Sequence, residues 1–597
     1  MPSNFFRFLT VAVAAMLLQF APPSSAQKLI LEKNVAVKMR DGVTLRADIY
    51  RPAKGGRFPV LLQRTPYDKE NKDFSVNSSR KAVGRGYVVI VQDVRGRFAS
   101  EGEWYPFKFE IDDGYDTVEW AASLPYSNGK VGMFGGSYVG ATQMLAAIGH
   151  PPHLAGINPG VTASNYHENW AYQGGAFEQG LAEKWAAALS QDTLTHVLRG
   201  TTLAHPGDPI KPLAHFPLFD LELKPGTTDL TRILAPYYLD WLDHPLYDGY
   251  WRQWSIEDHF ASIQVPALTV AGWYDIFQGG SLRNFAGMRT NAANDYARGN
   301  QRLIVGIGGH AGSGRKVGDL DFGADAGKTD WDAITLDWYD YLLKGKKNKL
   351  SKAPAVQYFA MGENKWRSAD TWPPQGAQAA KFYLHSAGSA NSAAGDGVLS
   401  TAANGGEAPD HYIYDPADPV PSVGGPICCE PSLAGPRDQR EVEKRQDVLE
   451  YTTAPLEEEV DATGPVSLEL YASSTAVDTD FTAKLLDVWP NGYVQNLTEG
   501  ILRARYRESN TAAKLMTPGT AYRFQIDLWA TSNVFLKGHR IRVEVSSSNF
   551  PRFDRNLNTG GDAAKDAAFV KATNTIYHDK EHPSALVLTL LPHPSAK

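Results

Sequence analysis

The chain has 597 residues, 43% of them apolar and 21% charged, with a formal net charge of −7. That length exceeds what one hydrophobic core holds and predicts two to four domains. The acidic balance, without any long basic run, gives no electrostatic reason to expect nucleic acid as a partner. Fourteen Trp, 27 Tyr and 25 Phe predict large cores and suit an aromatic-lined pocket.

Residues 1–26 carry a single charge, Arg7, ahead of an apolar run over 8–21 and the small residues Ser24 and Ala26. This is the layout of a cleavable signal peptide and predicts export to the periplasm or medium, against an uncleaved anchor or a buried helix. The run falls short of the roughly 20 apolar residues that span a bilayer, and no later stretch reads as a membrane helix, so no stable span is expected. Alternation over 35–39 and 44–50 around Asp41-Gly42 predicts a hairpin at a sheet edge. Continuously apolar runs at 58–62 and 87–91 fit strands covered on both faces, and helical spacing appears over 78–84 and 113–124. Strands alternating with helices predict a doubly wound α/β domain.

At 131–143 an apolar strand stops at Gly135-Gly136, Ser137 follows, and a small-residue segment of helical character begins. A nucleophile elbow needs that order: the sharp turn lifts the hydroxyl clear of the sheet, and the next backbone N–H faces a developing oxyanion. The usual G-x-S-x-G signature is displaced, with Val139 in the second glycine's place and Gly140 one residue later. Aromatic and small residues at helical spacing over 165–198 and 230–253, around a Pro/Gly-rich loop at 206–217, predict a helical insertion. Strands return at 267–271 and 303–306, and 330–345 reads as a terminal helix. Beyond 352 the segments 356–361, 381–385, 466–471, 483–488, 521–528, 540–545 and 585–591 are short and turn-bounded, which predicts a β-sandwich of jelly-roll type. Residues 391–436 read as a long loop on the surface or in an interface. The predicted fold class is α/β: an α/β-hydrolase core (27–162 and 262–350), a helical cap (163–261) and a C-terminal jelly-roll β domain (351–597).

A serine hydroxyl becomes nucleophilic when a histidine removes its proton and a carboxylate orients that histidine. In α/β-hydrolases the acid and then the histidine follow the serine, each at a strand end. Asp275 and His310 stand in those positions, after the strands at 267–271 and 303–306. His385 and His411 are the nearest rivals, but both fall in the β-rich region. The two cysteines, Cys428 and Cys429, are adjacent; a vicinal disulfide and two thiols are both open. They receive no catalytic role, and with no ligand nearby in sequence they make a poor metal site.

Several motifs together resemble the cocaine esterase-like (CocE/NonD) hydrolases, which are grouped with X-prolyl dipeptidyl aminopeptidases and α-amino acid ester hydrolases. Gly135-Gly136-Ser137-Tyr138-Val139-Gly140 is similar to that family's G-x-S-Y-x-G elbow, and Gly272-Trp273-Tyr274-Asp275 to its acid motif. Arg64-Thr65-Pro66-Tyr67-Asp68-Lys69 resembles its R-x-P-Y-x-K loop. Gln92-Asp93-Val94-Arg95-Gly96-Arg97, Asp418-Pro419-Val420-Pro421 and Asp438-Gln439-Arg440 are similarly characteristic. One departure stands out: the G-P-W-x-H lead-in is replaced by Gly306-Ile307-Gly308-Gly309-His310, which predicts a more flexible histidine loop. The resemblance implies Ser137 as nucleophile, His310 as base, Asp275 as its orienting acid, and an oxyanion hole of the Tyr67 hydroxyl and the Tyr138 backbone N–H. It implies no cofactor and no metal.

The α-amino acid ester hydrolases hold an ammonium with acids shortly after the catalytic Asp, whereas Ile276-Phe277-Gln278-Gly279-Gly280 carries none. Glu168 reads as a solvated helix residue rather than a remnant of that cluster. An apolar acyl pocket of Trp170, Tyr172, Trp273 and Phe277 is expected instead. The sequence therefore predicts a serine hydrolase acting on a small-molecule ester, and secondarily an amide. Alternatives are an X-prolyl dipeptidyl peptidase, an α-amino acid ester or β-lactam acylase and, from another class, a non-catalytic binding protein.

Overall fold

The computed structural model describes residues 29–71, 77–198, 227–310, 314–429, 432–562 and 564–592. The expected signal peptide and the loop at 206–217 lie outside these. A ten-stranded sheet forms the first domain. It opens with β1 (Leu29–Lys38), β2 (Thr44–Pro52), β3 (Phe58–Thr65), β4 (Val88–Asp93), β5 (Ser127–Gly136) and β6 (Leu154–Gly160). Strands Leu268–Tyr274, Arg302–Gly309, Val356–Ala360 and Lys365–Ala369 complete it, giving the spatial order β1-β2-β4-β3-β5-β6 followed by these four. Pairing is parallel from β4 through Val356–Ala360 and antiparallel at both margins.

Alternation along each strand sorts its side chains to two covered faces. Val60, Leu62, Val88 and Ile90 pack with Val118 of α2 (Glu110–Ser123) and Met144 and Leu145 of α3 (Tyr138–Ile148). Leu61, Val89 and Val91 face the other way, onto Val83 of α1 (Asn77–Gly84), Trp338 and Tyr339. Each such side chain, fully buried, contributes about 1.5–3 kcal/mol. Trp338 and Tyr339 belong to the helix Trp331–Lys344, which Asp330 caps by accepting from the Ala333 N–H and Gly345 ends in the left-handed region (φ 67°). That agrees with the helix expected at 330–345.

The cap inserts between β6 and Leu268–Tyr274. Its described helices include Gln179–Leu198, Thr227–Leu234 and Pro236–Asp243, after a single π-helical turn at His167–Ala171. The C-terminal jelly-roll domain contains an eleven-stranded, mostly antiparallel sheet between Gln378 and Leu590. The strands over 356–369, expected in the β domain, continue the first sheet, because Val356–Tyr358 pair in parallel with Leu303–Val305. The expected loop at 391–436 contains the strands Val398–Ser400 and Asp410–Tyr414, too short for their alternation to register. Its remainder enters the domain interface, where Cys428 packs in the hydrolase core. Ala271, Leu303 and Val305 share a core with Leu468, Phe524 and Leu586, so the two sheets bury one continuous apolar interior.

Candidate active site

Ser137 sits between β5 and α3 with φ 61° and ψ −132°, a conformation costing a non-glycine residue about 1–3 kcal/mol. The surrounding contacts hold it there. Its N–H donates to Gly160 O at 2.9 Å. The Gln143 amide donates to Gly135 O and Val139 O, both at 2.9 Å, while its oxygen accepts from the Asn158 N–H. The displaced glycine has a steric cause. A Cβ on Gly135 would lie 2.3 Å from Val139 Cγ1, and one on Gly140 would lie 2.9 Å from Gly160 O. The valine therefore fits at 139 because it packs over Gly135, and the bare position is needed at 140, where α3 crosses β6.

The structure brings Ser137, Asp275 and His310 together. His310 Nε2 lies 2.8 Å from Ser137 Oγ, and its Nδ1 lies 2.9 Å from Asp275 Oδ2. Asp275 is fully buried; its other oxygen accepts from the Phe277 N–H at 2.7 Å. With both oxygens engaged, the carboxylate is fixed against the ring. The lead-in to His310 is strand rather than loop: Gly306 and Gly309 pair with Gly272 and Tyr274 across a register shift. The prediction of a flexible loop overlooked close packing, since a Cβ on Gly272 would lie 2.1 Å from Gly308 O. Glycine there lets the strands approach closely enough to set the histidine on the acid.

Tyr67 and the start of α3 face the same serine. The Tyr67 hydroxyl accepts from Trp185 Nε1 at 3.0 Å and is also hydrogen-bonded to Ser137. Burial raises its pKa and outweighs those bonds, so the phenol keeps its proton at neutral pH. The loop carrying it is anchored by the Lys69 N–H, which donates to the buried Asp93 at 2.7 Å. Arg97 reinforces it, donating to Pro66 O and Leu189 O. The Tyr138 ring is fully buried, its hydroxyl donating to Glu110 at 3.0 Å and accepting from the Phe107 N–H at 2.8 Å. That anchorage holds the first turn of α3, where the Gly140 and Ala141 N–H groups donate to Ser137 O at 2.8 and 3.1 Å.

Residues 41–312 match the X-Pro dipeptidyl-peptidase (S15 family), and residues 348–587 match the X-Pro dipeptidyl-peptidase C-terminal non-catalytic domain. The cocaine esterase of Rhodococcus sp. (strain MB1 Bresler) is 40% identical over 585 residues, covering 94% of this chain and 98% of that protein. The chain belongs to this family. Among solved structures, an aminopeptidase from the marine sediment archaeon Thaumarchaeota archaeon superposes with a TM-score of 0.80 at 26% identity, over 98% of this chain and 100% of that one. An α-amino acid ester hydrolase gives 0.78 at 25% identity, over 97% and 100%. With these relatives, the chain is a serine ester hydrolase.

The expected pocket residues divide. Phe277 meets the His310 ring edge-on at 5.1 Å and stacks on Trp170 at 4.5 Å, so both stand beside the triad. Tyr172 does not: its hydroxyl donates to Trp241 O, and its ring stacks on His167 inside the cap. Trp273 points away too, donating to Phe359 O and lying against Trp372 in the interdomain core. It precedes Asp275 by two residues on a strand, yet its face of the sheet looks toward the β domain. Glu168 is not solvated. It accepts from the Gly174 N–H and lies 3.6 Å from His167 Nδ1; burial pushes its pKa up, but these partners outweigh it and leave the carboxylate lowered. His385 binds Glu407, and His411 binds Thr575, both in the β domain.

Trp185 was not singled out from the sequence. It closes the aromatic wall against Trp170 (5.5 Å) and Tyr138 (5.9 Å) as well as gripping Tyr67. Its only signal was membership of a Trp-rich helical stretch. Beside this wall, a cavity of about 390 Å³ lies between the cap and the β domain, lined by Leu181, Ile276, Val423, Ile427, Cys428 and Leu433 among others.

Proposed function

We propose that Ser137 attacks the substrate carbonyl while His310 takes its proton, and that His310 then returns it to the leaving group. The resulting acyl-enzyme is hydrolysed by the same exchange with water. Asp275 holds the imidazole tautomer with Nε2 toward the serine. The Tyr67 hydroxyl and the Tyr138 N–H stabilise the tetrahedral oxyanion. Because the Trp185 indole is donor-only and occupies one lone pair of Tyr67, the phenolic proton is left to point at the reacting oxygen. The observation that carries this reading is the continuous Asp275–His310–Ser137 chain of 2.9 and 2.8 Å bonds.

The substrate is read as an ester with an aromatic or aliphatic acyl group, seated against Trp170, Trp185 and Phe277. This agrees with the similarity to a cocaine esterase. X-Pro peptides or α-amino acid esters would need an anion for their ammonium group. Of the acids in the cap, Glu168 accepts from the Gly174 N–H and Glu178 pairs with Arg552, so each already has a partner within the protein. A paired assay decides. An aryl ester should be cleaved and an X-Pro-anilide should not; cleavage of the anilide alone would reverse the ranking. Labelling of Ser137 by an aryl phosphonate, lost in Ser137→Ala, tests the nucleophile.

The reading of residues 1–26 as a signal peptide places the working enzyme outside the cytoplasm. N-terminal sequencing of protein recovered from the periplasm or medium should begin at Gln27.

A further inference from the structure

We infer that Cys428, Cys429 and His310 form a thiol-gated site for a soft divalent cation such as Cd²⁺ or Zn²⁺, open when the cysteine pair is reduced and shutting off hydrolysis when filled. The cysteines lie 118 and 119 residues beyond the histidine. Yet both sulfurs and one ring nitrogen of His310 fall within 4.8 Å of one another. The loop that carries them is fastened to the catalytic strand end. Gly425 and Gly435 exchange backbone bonds at 2.8 and 3.0 Å, Arg437 pairs with Asp319, and a Cβ on Gly309 would lie 3.6 Å from Ala434 Cβ.

In the structure the two cysteines are joined as a disulfide, which offers no thiolate to a metal. Cys429 is exposed while Cys428 is buried, so the outer sulfur is open to attack. A thiolate of an external dithiol attacks Cys429 Sγ, expelling the Cys428 thiolate, and its second thiol resolves the mixed disulfide. Two electrons and two protons pass to the protein, and the dithiol leaves as its own disulfide. A divalent cation then displaces the two thiol protons. Asp275 already engages His310 Nδ1 at 2.9 Å, so Nε2 supplies the third donor. A carboxylate-backed imidazole of this kind is how metal-binding histidines are commonly oriented. Zinc takes sulfur at about 2.3 Å and nitrogen at about 2.0–2.1 Å in a tetrahedron, which leaves the fourth position to water. Filling Nε2 breaks its bond to Ser137 and removes the base.

The activity loss rests on His310 being the base, whereas binding is read without turnover. The full-length protein is reduced with dithiothreitol, desalted without oxygen and titrated with Cd²⁺, following the ultraviolet cadmium–thiolate band and aryl-ester hydrolysis in parallel. The reduced protein should bind one Cd²⁺ per chain and lose activity about tenfold or more, recovering it on chelation. The oxidised protein should show no band and change less than about twofold. Cys429→Ser, chosen because Cys428 also lines the neighbouring cavity, should bind at least about tenfold more weakly. Absence of the band in the reduced protein would overturn the inference. So would a band without loss of activity, or equal inhibition of the reduced and oxidised proteins. A failed triad would instead appear as full activity in Ser137→Ala without metal.

Discussion

Two of the histidine–aspartate pairs in this molecule, each 2.9 Å apart, are built for opposite ends. At the hydrolase strand ends His310 Nδ1 meets Asp275, and its other nitrogen meets Ser137 beside an aromatic wall. In the β domain His578 Nε2 meets Asp410, but its other nitrogen meets Glu407, 3.2 Å away. Asp410 also accepts from Ser386, Tyr451 and the Ala390 N–H. A serine, an aspartate and a histidine are thus present twice. Only in the first group does the serine contact the imidazole; in the second it contacts the carboxylate and has no base. The partner of the histidine's second nitrogen separates a site from a clasp.

The largest test of that contrast is mutation of each group. Ser137→Ala or His310→Ala should lower kcat by roughly 10⁶-fold with the Tm little changed. His578→Gln should leave kcat within about twofold but cost about 1.5–3 kcal/mol of stability, since Asp410 loses its charged partner while keeping the donors Ser386, Tyr451 and Ala390. Chemical denaturation alongside steady-state kinetics reads both; a large kcat loss in His578→Gln would erase the distinction. Next in size, Tyr67→Phe should lower kcat by a factor corresponding to about 2.7–4 kcal/mol with KM nearly unchanged. Trp185→Phe keeps the ring but removes the indole donor that aims Tyr67. It should cost about 0.5–1.5 kcal/mol, seen in kcat and not rescued by raising substrate.

The smallest effect is in pH dependence. Burial lowers the His578 pKa, but Asp410 and Glu407 outweigh it and leave the group above its ordinary value of 6.5. A histidine raised on folding stabilises fully below about pH 6.5, and that contribution is lost as pH rises through its folded value. The stability difference between wild type and His578→Gln should therefore be greatest near pH 6 and shrink toward pH 9. A difference that grows with pH would show that the clasp is not protonated.

Much of the site was legible because its parts obey local rules. The strand–turn–helix around Ser137 and the strand-end positions of Asp275 and His310 follow from periodicity and glycine placement. Trp185 and Asp93 were not legible as site residues, since each acts by gripping a loop more than 20 residues away in sequence. Tyr172 and Trp273 were misplaced for a related reason: an aromatic near a motif can face either side of its strand or turn, and neighbours in space decide which. The pairing of Val356–Tyr358 with Leu303–Val305 was not legible either, because a short strand looks the same whether it extends a parallel sheet or begins an antiparallel one.

By itself the sequence determined the α/β core, the β domain after it, and the order Ser137, Asp275, His310, because side-chain period and turn chemistry are local properties. Tertiary structure alone decided which histidine meets a serine and which aromatics lie beside that histidine. It also turned a cysteine pair without ligands in its own stretch into a neighbour of His310. Those relations are distances between residues far apart in the chain, and they exist only once both sheets have closed on one shared core.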